Sequence, residues 1–281
     1  MRTSSRPFKA LLALSALGGA LVAAPPGLAA EVSPTELEKL KKELLLPPLS
    51  LGPDYSAPSL SPGVPSAFIA GWGDYFISAN GSTPGARPDV DGGLSVGFGV
   101  GDAAKAVALE VDLNITSFKN FGQTGGFDAK LGRIVVNKPG FRLGASVGVV
   151  NVATWDTGND GADPEPSVYG VVTAAWPLRP NNQSFKQTLQ VSAGGGGETW
   201  GYDNADAGGF ASVGVEVLPN LGVAAGWSGR GVNAGLSFVP FKRTPLTVSL
   251  QAGDIFDQTA NGPVGVLSIS WGSNFRTAQF W

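Results

Sequence analysis

The stretch KAVALEVDLNITS, residues 105–117, sets the period of the chain. Val107, Leu109, Val111, Leu113 and Ile115 share one parity, and Ala108, Glu110, Asp112 and Asn114 share the other. A period of two marks an extended strand with one apolar and one polar face. The alternation returns in LSVGFGV (94–100), ASVGVEV (211–217), GVNAGLSF (231–238) and LTVSLQAG (246–253). About twelve such segments run from Ser66 onward, each near the roughly ten residues that a tilted membrane-crossing strand needs. Their expected ranges are 66–78, 92–101, 105–117, 125–137, 141–154, 167–177, 187–197, 209–218, 221–228, 231–239, 246–255 and 263–281.

Alternation alone fits a soluble sandwich as well as a barrel, and four features separate them. The non-apolar face is built from glycine, serine and scattered charge, too small to fill a sandwich core but suited to a wet barrel wall. Connections alternate in length: 101–104, 137–140, 218–220 and 240–245 are mostly tight, while 79–91, 118–124, 155–166 and 198–208 are longer. Short periplasmic turns and long external loops are the outer-membrane pattern, with Ser228–Gly231 a tight turn where a long loop is due. Charge follows the same division. Lys105, Lys138, Arg179, Lys186, Lys242 and Arg243 sit in short turns; Asp89, Asp91, Asp156, Asp160, Asp163, Glu165, Glu198, Asp203 and Asp206 sit in long loops. Trp72, Tyr75, Trp155, Trp176, Trp200, Trp227, Phe238 and Trp271 lie near strand ends, where amphipathic rings settle at headgroup depth. The expected fold is all-β, a transmembrane antiparallel up-and-down β-barrel of about 12 strands (roughly 10–14) over 66–281.

Ahead of the barrel, residues 1–30 read as a cleaved signal peptide. Arg2, Arg6 and Lys9 precede an apolar run at 10–24, and small residues lead to cleavage near Ala29 or Ala30. Residues 31–46 read as a short amphipathic helix, with Ser33 and Glu36 as capping box, Pro34 at its first position and Leu37, Leu40 and Leu44 on one face, expected as an ordered N-terminal appendage or, alternatively, a plug or small oligomerisation helix. Residues 47–65, rich in Pro, Ser and Gly, read as an extended linker.

Composition excludes much chemistry. With no cysteine and no histidine there are no disulfides, no thiolate or imidazole metal ligands and no Ser-His triad. Loss of Arg2, Arg6 and Lys9 leaves 16 of the 19 basic residues against 22 acidic ones, a balance unsuited to nucleic acid. The glycine strings 97–102, 192–198 and 229–235 lie in or between strands, without the strand–helix context of a nucleotide loop. Asp156, Asp160 and Asp163 are weak metal candidates, because their loop lacks the third-position acid and closing glutamate of a calcium loop. No catalytic residue and no cofactor is expected.

Convergent polar groups are confined to the lumen face: Glu110, Asp112, Asp128, Lys130, Arg142, Gln190, Glu216, Asn233 and Gln251. Folding the third and fourth strands about 118–124 sets Asp112 near Lys130, a cross-strand pair that helps hold register. Simple alternation puts Arg133 on the lipid face. A bulge near Gly132 that turns it inward, or an interfacial position from which it snorkels, would resolve the conflict.

Leu267, Ile269, Trp271, Phe275 and Trp281 place the chain's last aromatics on the lipid face of the closing strand. A terminal Phe280-Trp281 pair after Phe275 resembles the signal that bacterial outer-membrane barrels present to their assembly machinery, although Thr277 and Gln279 depart from the apolar pattern. WSGRGVNAGLSFVPFKRTPLTV, 227–248, resembles a hairpin of small, largely uncharacterised outer-membrane barrel proteins of cyanobacteria. That resemblance implies a fold and the outer membrane of a Gram-negative-type bacterium. Small solutes, membrane lipid and the assembly machinery are the expected partners. The residues point to a porin-like passive diffusion channel for small hydrophilic solutes; a structural or surface-interaction barrel with a closed lumen and acidic external loops is the alternative. N-terminal sequencing of the membrane-fraction protein is expected to start within a residue of Glu31; a start at Met1 would refute the cleaved signal.

Overall fold

The alternating segments form twelve strands in the computed structural model, which describes residues 57–85, 89–119, 121–156, 165–182, 184–203, 205–241, 244–260 and 262–275. The helix expected at 31–46, Asp160, Asp163, Lys242, Arg243, Phe280 and Trp281 lie outside the described residues. The strands are β1 (Asp74–Ser82), β2 (Asp91–Gly101), β3 (Ala108–Ile115), β4 (Thr124–Lys138), β5 (Phe141–Asp156) and β6 (Ser167–Pro177). They continue with β7 (Thr188–Gly197), β8 (Ala207–Leu218), β9 (Leu221–Trp227), β10 (Val232–Phe238), β11 (Leu246–Gly253) and β12 (Val264–Asn274). Each pairs antiparallel with its neighbour in sequence, and β1 closes on β12 from Asp74↔Asn274 to Ser82↔Val266. The result is a closed 12-strand barrel with no free edge.

The outer wall is apolar all the way round. Exposed side chains occur on every strand, among them Ile77, Val96, Leu113, Leu131, Val152, Val172, Val191, Val213, Val223, Leu236, Leu250 and Leu267. A continuous apolar belt of this kind far exceeds the scattered patches of a soluble monomer. Aromatic pairs rim it: Tyr75–Trp271, Phe141–Trp176 and Trp72–Phe275 at the short-turn end, Phe127–Trp155 and Tyr202–Trp227 at the loop end. Among the described residues no helix is long and apolar enough to cross a membrane.

Two sequence expectations are corrected here. The first strand starts at Asp74, not Ser66. Ala67, Ile69 and Ala70 are all fully buried, a pattern for backbone enclosed on every side rather than for one wall of a barrel. The second correction concerns β4. Its bulges lie between Phe127 and Ala129 and between Ile134 and Val136, not at Gly132. Alternation from Lys130 to Ile134 is therefore unbroken, and Arg133 keeps the outward parity of Leu131. It lies one residue beyond the last β3–β4 pair, Ala108↔Gly132, close to the short-turn end. From there a long guanidinium side chain can extend past the end of the apolar belt to water.

The short turns are locally capped. Asp102, between β2 and β3, takes a salt bridge from Lys105 at 3.1 Å and the N–H groups of Ala104 and Lys105. The Lys105 side chain, with those N–H bonds, holds its carboxyl below the ordinary value against a desolvation that works the other way. On the outer wall, Val96→Arg, midway along β2, is expected to cost about 2–4 kcal/mol in bilayer-embedded unfolding, whereas Arg133→Leu shifts stability by under about 1 kcal/mol. Equal effects at the two positions would contradict this placement.

Candidate functional site

The site is the lumen, and the chain's own backbone occupies much of it. Residues 57–71, the strap, run along the inner wall past nine consecutive strands, β2 to β10. Ser59 N–H donates to Ser237 Oγ on β10 at 2.9 Å. Leu60 packs over Gly214 and Gly222 on β8 and β9. Ser61 Oγ accepts from Gln190 Nε2 at 2.6 Å and lies 3.5 Å from Ser192 Oγ, both on β7. Ala67 N–H donates to Thr173 Oγ1 on β6 at 2.8 Å, and Ala70 N–H to Glu110 Oε2 on β3 at 2.7 Å. Phe68 lies under the Arg142 guanidinium of β5, 4.8 Å from ring centre to Cζ, and its carbonyl accepts from Lys130 Nζ on β4 at 3.4 Å. Ala70 and Gly71 press on β2 where a side chain at Gly99 would overlap them. Glycine is required at such wall positions because the strap's backbone takes the space of a Cβ.

The strap changes the nature of the inner wall. Thr173, Ser192, Ser237, Arg142, Glu110, Thr247 and Ser249 all face inward in register, yet all are buried. At this level, toward the short turns, the lumen is packed. A second filling element sits beside it. Tyr169 on β6, Phe210 on β8 and Trp200 on a single helical turn, Glu198–Trp200, stack with centroids 4.8–6.3 Å apart. Val64 of the strap and Val171 complete this apolar cluster. Gly148, Gly194 and Gly196 make room for the three rings, since a Cβ at each would strike one of them. Trp200 is therefore an interior residue and not part of the girdle. The wall is not uniformly small and polar either, because β6 turns Tyr169 and Val171 inward.

Toward the loops the lumen opens. A cavity of about 630 Å³ lies against β1–β5, lined by Asn80, Ser95, Asn114, Asp128, Asn151 and Thr154. A chain of hydrogen bonds orders its wall. Ser95 Oγ donates to Asn114 Oδ1 at 2.6 Å, Asn114 Nδ2 to Asp128 Oδ2 at 2.9 Å, and Asn151 N–H to Asp128 Oδ1 at 2.8 Å. Asn151 supplies that bond from a left-handed backbone conformation, φ 58°, beside the bulge at Asp128.

The nine sequence candidates divide among these zones. Lys130 pairs with Glu110 at 2.6 Å, not with Asp112. The register is Glu110↔Lys130 and Asp112↔Asp128, two residues from the expected pairing, because Thr116 and Thr124 extend the hairpin to the base of its loop. A slip of two preserves which face each residue uses. Arg142, Gln190 and Asn233 also meet the strap, Asn233 Nδ2 against Gly63. Asp128 faces the vestibule. Asp112 lies below it with Phe76 near, and its Oδ1 is buried without a hydrogen-bond partner. Glu216 is spent on the β7 end, accepting from Thr188 N–H at 2.7 Å. Gln251 lies across Gly235 on the β10–β11 wall. Asp156 ends β5 opposite Thr124, and among the described residues no cluster of three or more acidic side chains could hold a metal. Phe275 leaves β12, donating its N–H to Gly73 O and packing edge-on against Trp72.

No family model and no curated protein matches the sequence. Three solved structures resemble the barrel at low identity. A KdgM porin in complex with disordered oligogalacturonate aligns over 70% of this chain and 98% of its own at 6% identity, TM-score 0.44. The COG4313 outer membrane channel from Pseudomonas putida F1 aligns over 72% and 96% at 14% identity, TM-score 0.39. The Acinetobacter baumannii outer membrane protein Omp33 aligns over 71% and 97% at 12% identity, TM-score 0.38. Likeness at this level assigns no activity, and function is argued from this chain's own residues.

The Glu110–Lys130 ion pair joins β3 to β4 and holds the strap through Ala70 N–H and the Phe68 carbonyl. Both side chains are largely removed from water, so deleting one partner leaves the other charge buried and unpaired. Glu110→Leu is expected to lower stability by about 3–5 kcal/mol, with Glu110→Leu/Lys130→Met recovering most of the loss, measured by urea unfolding in lipid vesicles. Simple addition of the two single costs would show that the charges act independently.

Proposed function

We propose that this chain is an outer-membrane, porin-like channel for small hydrophilic solutes, closed in its resting form by the strap. One observation carries the reading: a polar vestibule of about 630 Å³ stands open against β1–β5 toward the loops, while residues 57–71 of the same chain are bonded to the inner wall at Thr173 and Glu110. The continuous apolar belt and its aromatic rims support a bilayer location. The leader at 1–30 supports export, and Phe275, Phe280 and Trp281 support recognition by the barrel assembly machinery. In this reading Asp128 biases passage toward cations and against anions, because among the described residues no basic side chain lines the vestibule to offset it. Lys130 and Arg142 are committed to Glu110 and Phe68 below it. The geometry assigns no step of chemistry to the chain.

A second reading has its own support. The Val64–Tyr169–Trp200–Phe210 cluster fills the lumen as a folded core fills a domain, which favours a structural or surface-interaction barrel that never opens.

Ala67 and Thr173 offer a direct test, because the chain has no native cysteine to interfere. Planar-bilayer conductance of refolded 31–281 is compared with Ala67→Cys/Thr173→Cys and with a chain lacking 57–71. The expected result is discrete, cation-preferring conductance that the oxidised cysteine pair abolishes and dithiothreitol restores. Silence from folded wild type and from the strapless chain alike would establish the closed barrel instead.

A further inference from the structure

The β3–β4 loop does not project away from the barrel. It folds back over the outer wall, held by one carboxylate. Asp91 Oδ1 accepts from Gly92 N–H at 2.7 Å and Phe118 N–H at 3.0 Å, and its Oδ2 accepts from Ser117 Oγ at 2.8 Å. Phe118 N–H also donates to Gly92 O at 2.9 Å. The Phe118 ring is thereby laid across Gly92, where any side chain would meet it. The facing wall is pinned too, by Thr83 N–H to Gly265 O and Gly265 N–H to Thr83 Oγ1, each at 2.8 Å.

Between these two pinned walls lies a groove of about 700 Å³. Val90, Phe118, Leu250 and Leu267 line it, and Gly81 and Gly265 keep its floor clear. All four apolar side chains are at least 44% exposed, so nothing in this chain's described residues covers them. The groove is continuous with the apolar belt, since Leu250 and Leu267 belong to both. Its rim carries Lys119, paired in the open with Asp89. An exposed pair of that kind is weak and yields readily to a competing anion.

We infer that this groove is a seat for one acyl chain of a membrane lipid, whose headgroup phosphate lies at Lys119. The site differs from the rest of the belt in being walled on both sides. A chain there loses contact with its neighbours in the bilayer but gains Phe118 and Val90 above it. A lipid so held would exchange more slowly than the annular lipids that slide along Val172 or Val213. The inference rests on the reading that the belt faces lipid.

The test is photolabelling of the full mature chain in nanodiscs of phosphatidylglycerol carrying a diazirine in its acyl chain. Labelled peptides are mapped by mass spectrometry after a chase with unlabelled lipid. Labelling that survives the chase at 116–119, Leu250 and 265–267, but not at Val172 or Val213, is expected. Gly265→Leu fills the groove, and the fold accommodates it because a Cβ there meets only Thr83, at 3.5 Å. It should reduce groove labelling to the level of Val213; Gly81→Leu, with its Cβ 4.0 Å from Asp91 O, should do the same. Chase-resistant labelling that is uniform around the belt, or unchanged in both variants, overturns the seat while leaving the membrane reading intact. Complete loss of label in the chase likewise overturns the seat, whereas absence of label anywhere on the outer wall before the chase overturns the membrane reading itself.

Discussion

Everything in this structure depends on the closure of β1 onto β12. Inside a bilayer no water satisfies an open sheet edge, and each orphaned backbone group costs several kcal/mol. The ladder from Asp74↔Asn274 to Ser82↔Val266 removes both edges at once. Closure then dictates the use of each parity. One set of side chains faces out and is largely apolar on every strand, with Arg133 near the short-turn end an exception; the other faces a lumen narrow enough for opposite walls to share a guest. It also ties the position of the chain's N-terminal side to its C-terminal side. Gly73 accepts from Phe275 N–H, and Trp72 packs on the Phe275 ring, just where the strap turns into β1.

The inner wall has a logic that emerges only with the strap in place. A wall of glycine and serine reads as the lining of an open pore. Here the small residues are mates to larger ones. Gly99 and Gly214 yield to strap backbone, Gly222 to the strap's Leu60 and Pro58 side chains, and Gly148, Gly194 and Gly196 to three aromatic rings. The glycine run at 194–197 is thus the negative of Phe210 and Trp200 rather than a flexible segment. Inward hydroxyls on the same wall serve the strap: Ser237 and Thr173 accept its N–H groups, and Ser192 sits beside Ser61.

Charge is arranged with the same division of labour. Lys130, Glu110 and Arg142 hold the packed half, where burial demands partners. Asp128 faces the open half, its carboxylate steadied by two amide donors. Asp112 stands between the zones. Loop-side carboxylates act as fastenings: Asp91 ties a loop down onto the outer wall. Asp254, in the β11–β12 connection, does the same for its loop. Desolvation works to raise that carboxyl, but hydrogen bonds from the Thr259 hydroxyl and the Gln258 and Thr259 N–H groups outweigh it and hold it below its ordinary value.

The period-two pattern was sufficient for the barrel. Ten of the twelve strand ranges lie within a few residues of those observed, and the twelfth starts within one residue but ends at Asn274 rather than 281, since a side chain's parity is a local property of backbone geometry. The inward set from Glu110 to Gln251 was legible for the same reason, even though Lys130 found Glu110 instead of Asp112, because a slip of two keeps parity. What occupies the lumen was not legible. Residues 57–71 carry the Pro, Ser and Gly of a linker, and nothing local distinguishes a segment bathed in water from one enclosed by a wall. Likewise Trp200 reads as one more interfacial aromatic until the fold brings Gly196, Tyr169 and Phe210 around it. The sequence by itself determined which side chains face out and which face in. Only the tertiary structure decided what the inward ones touch, because those contacts join residues as far apart in the chain as Ser59 and Ser237, 178 positions, or Ser78 and Ser270, 192, brought together by barrel closure alone.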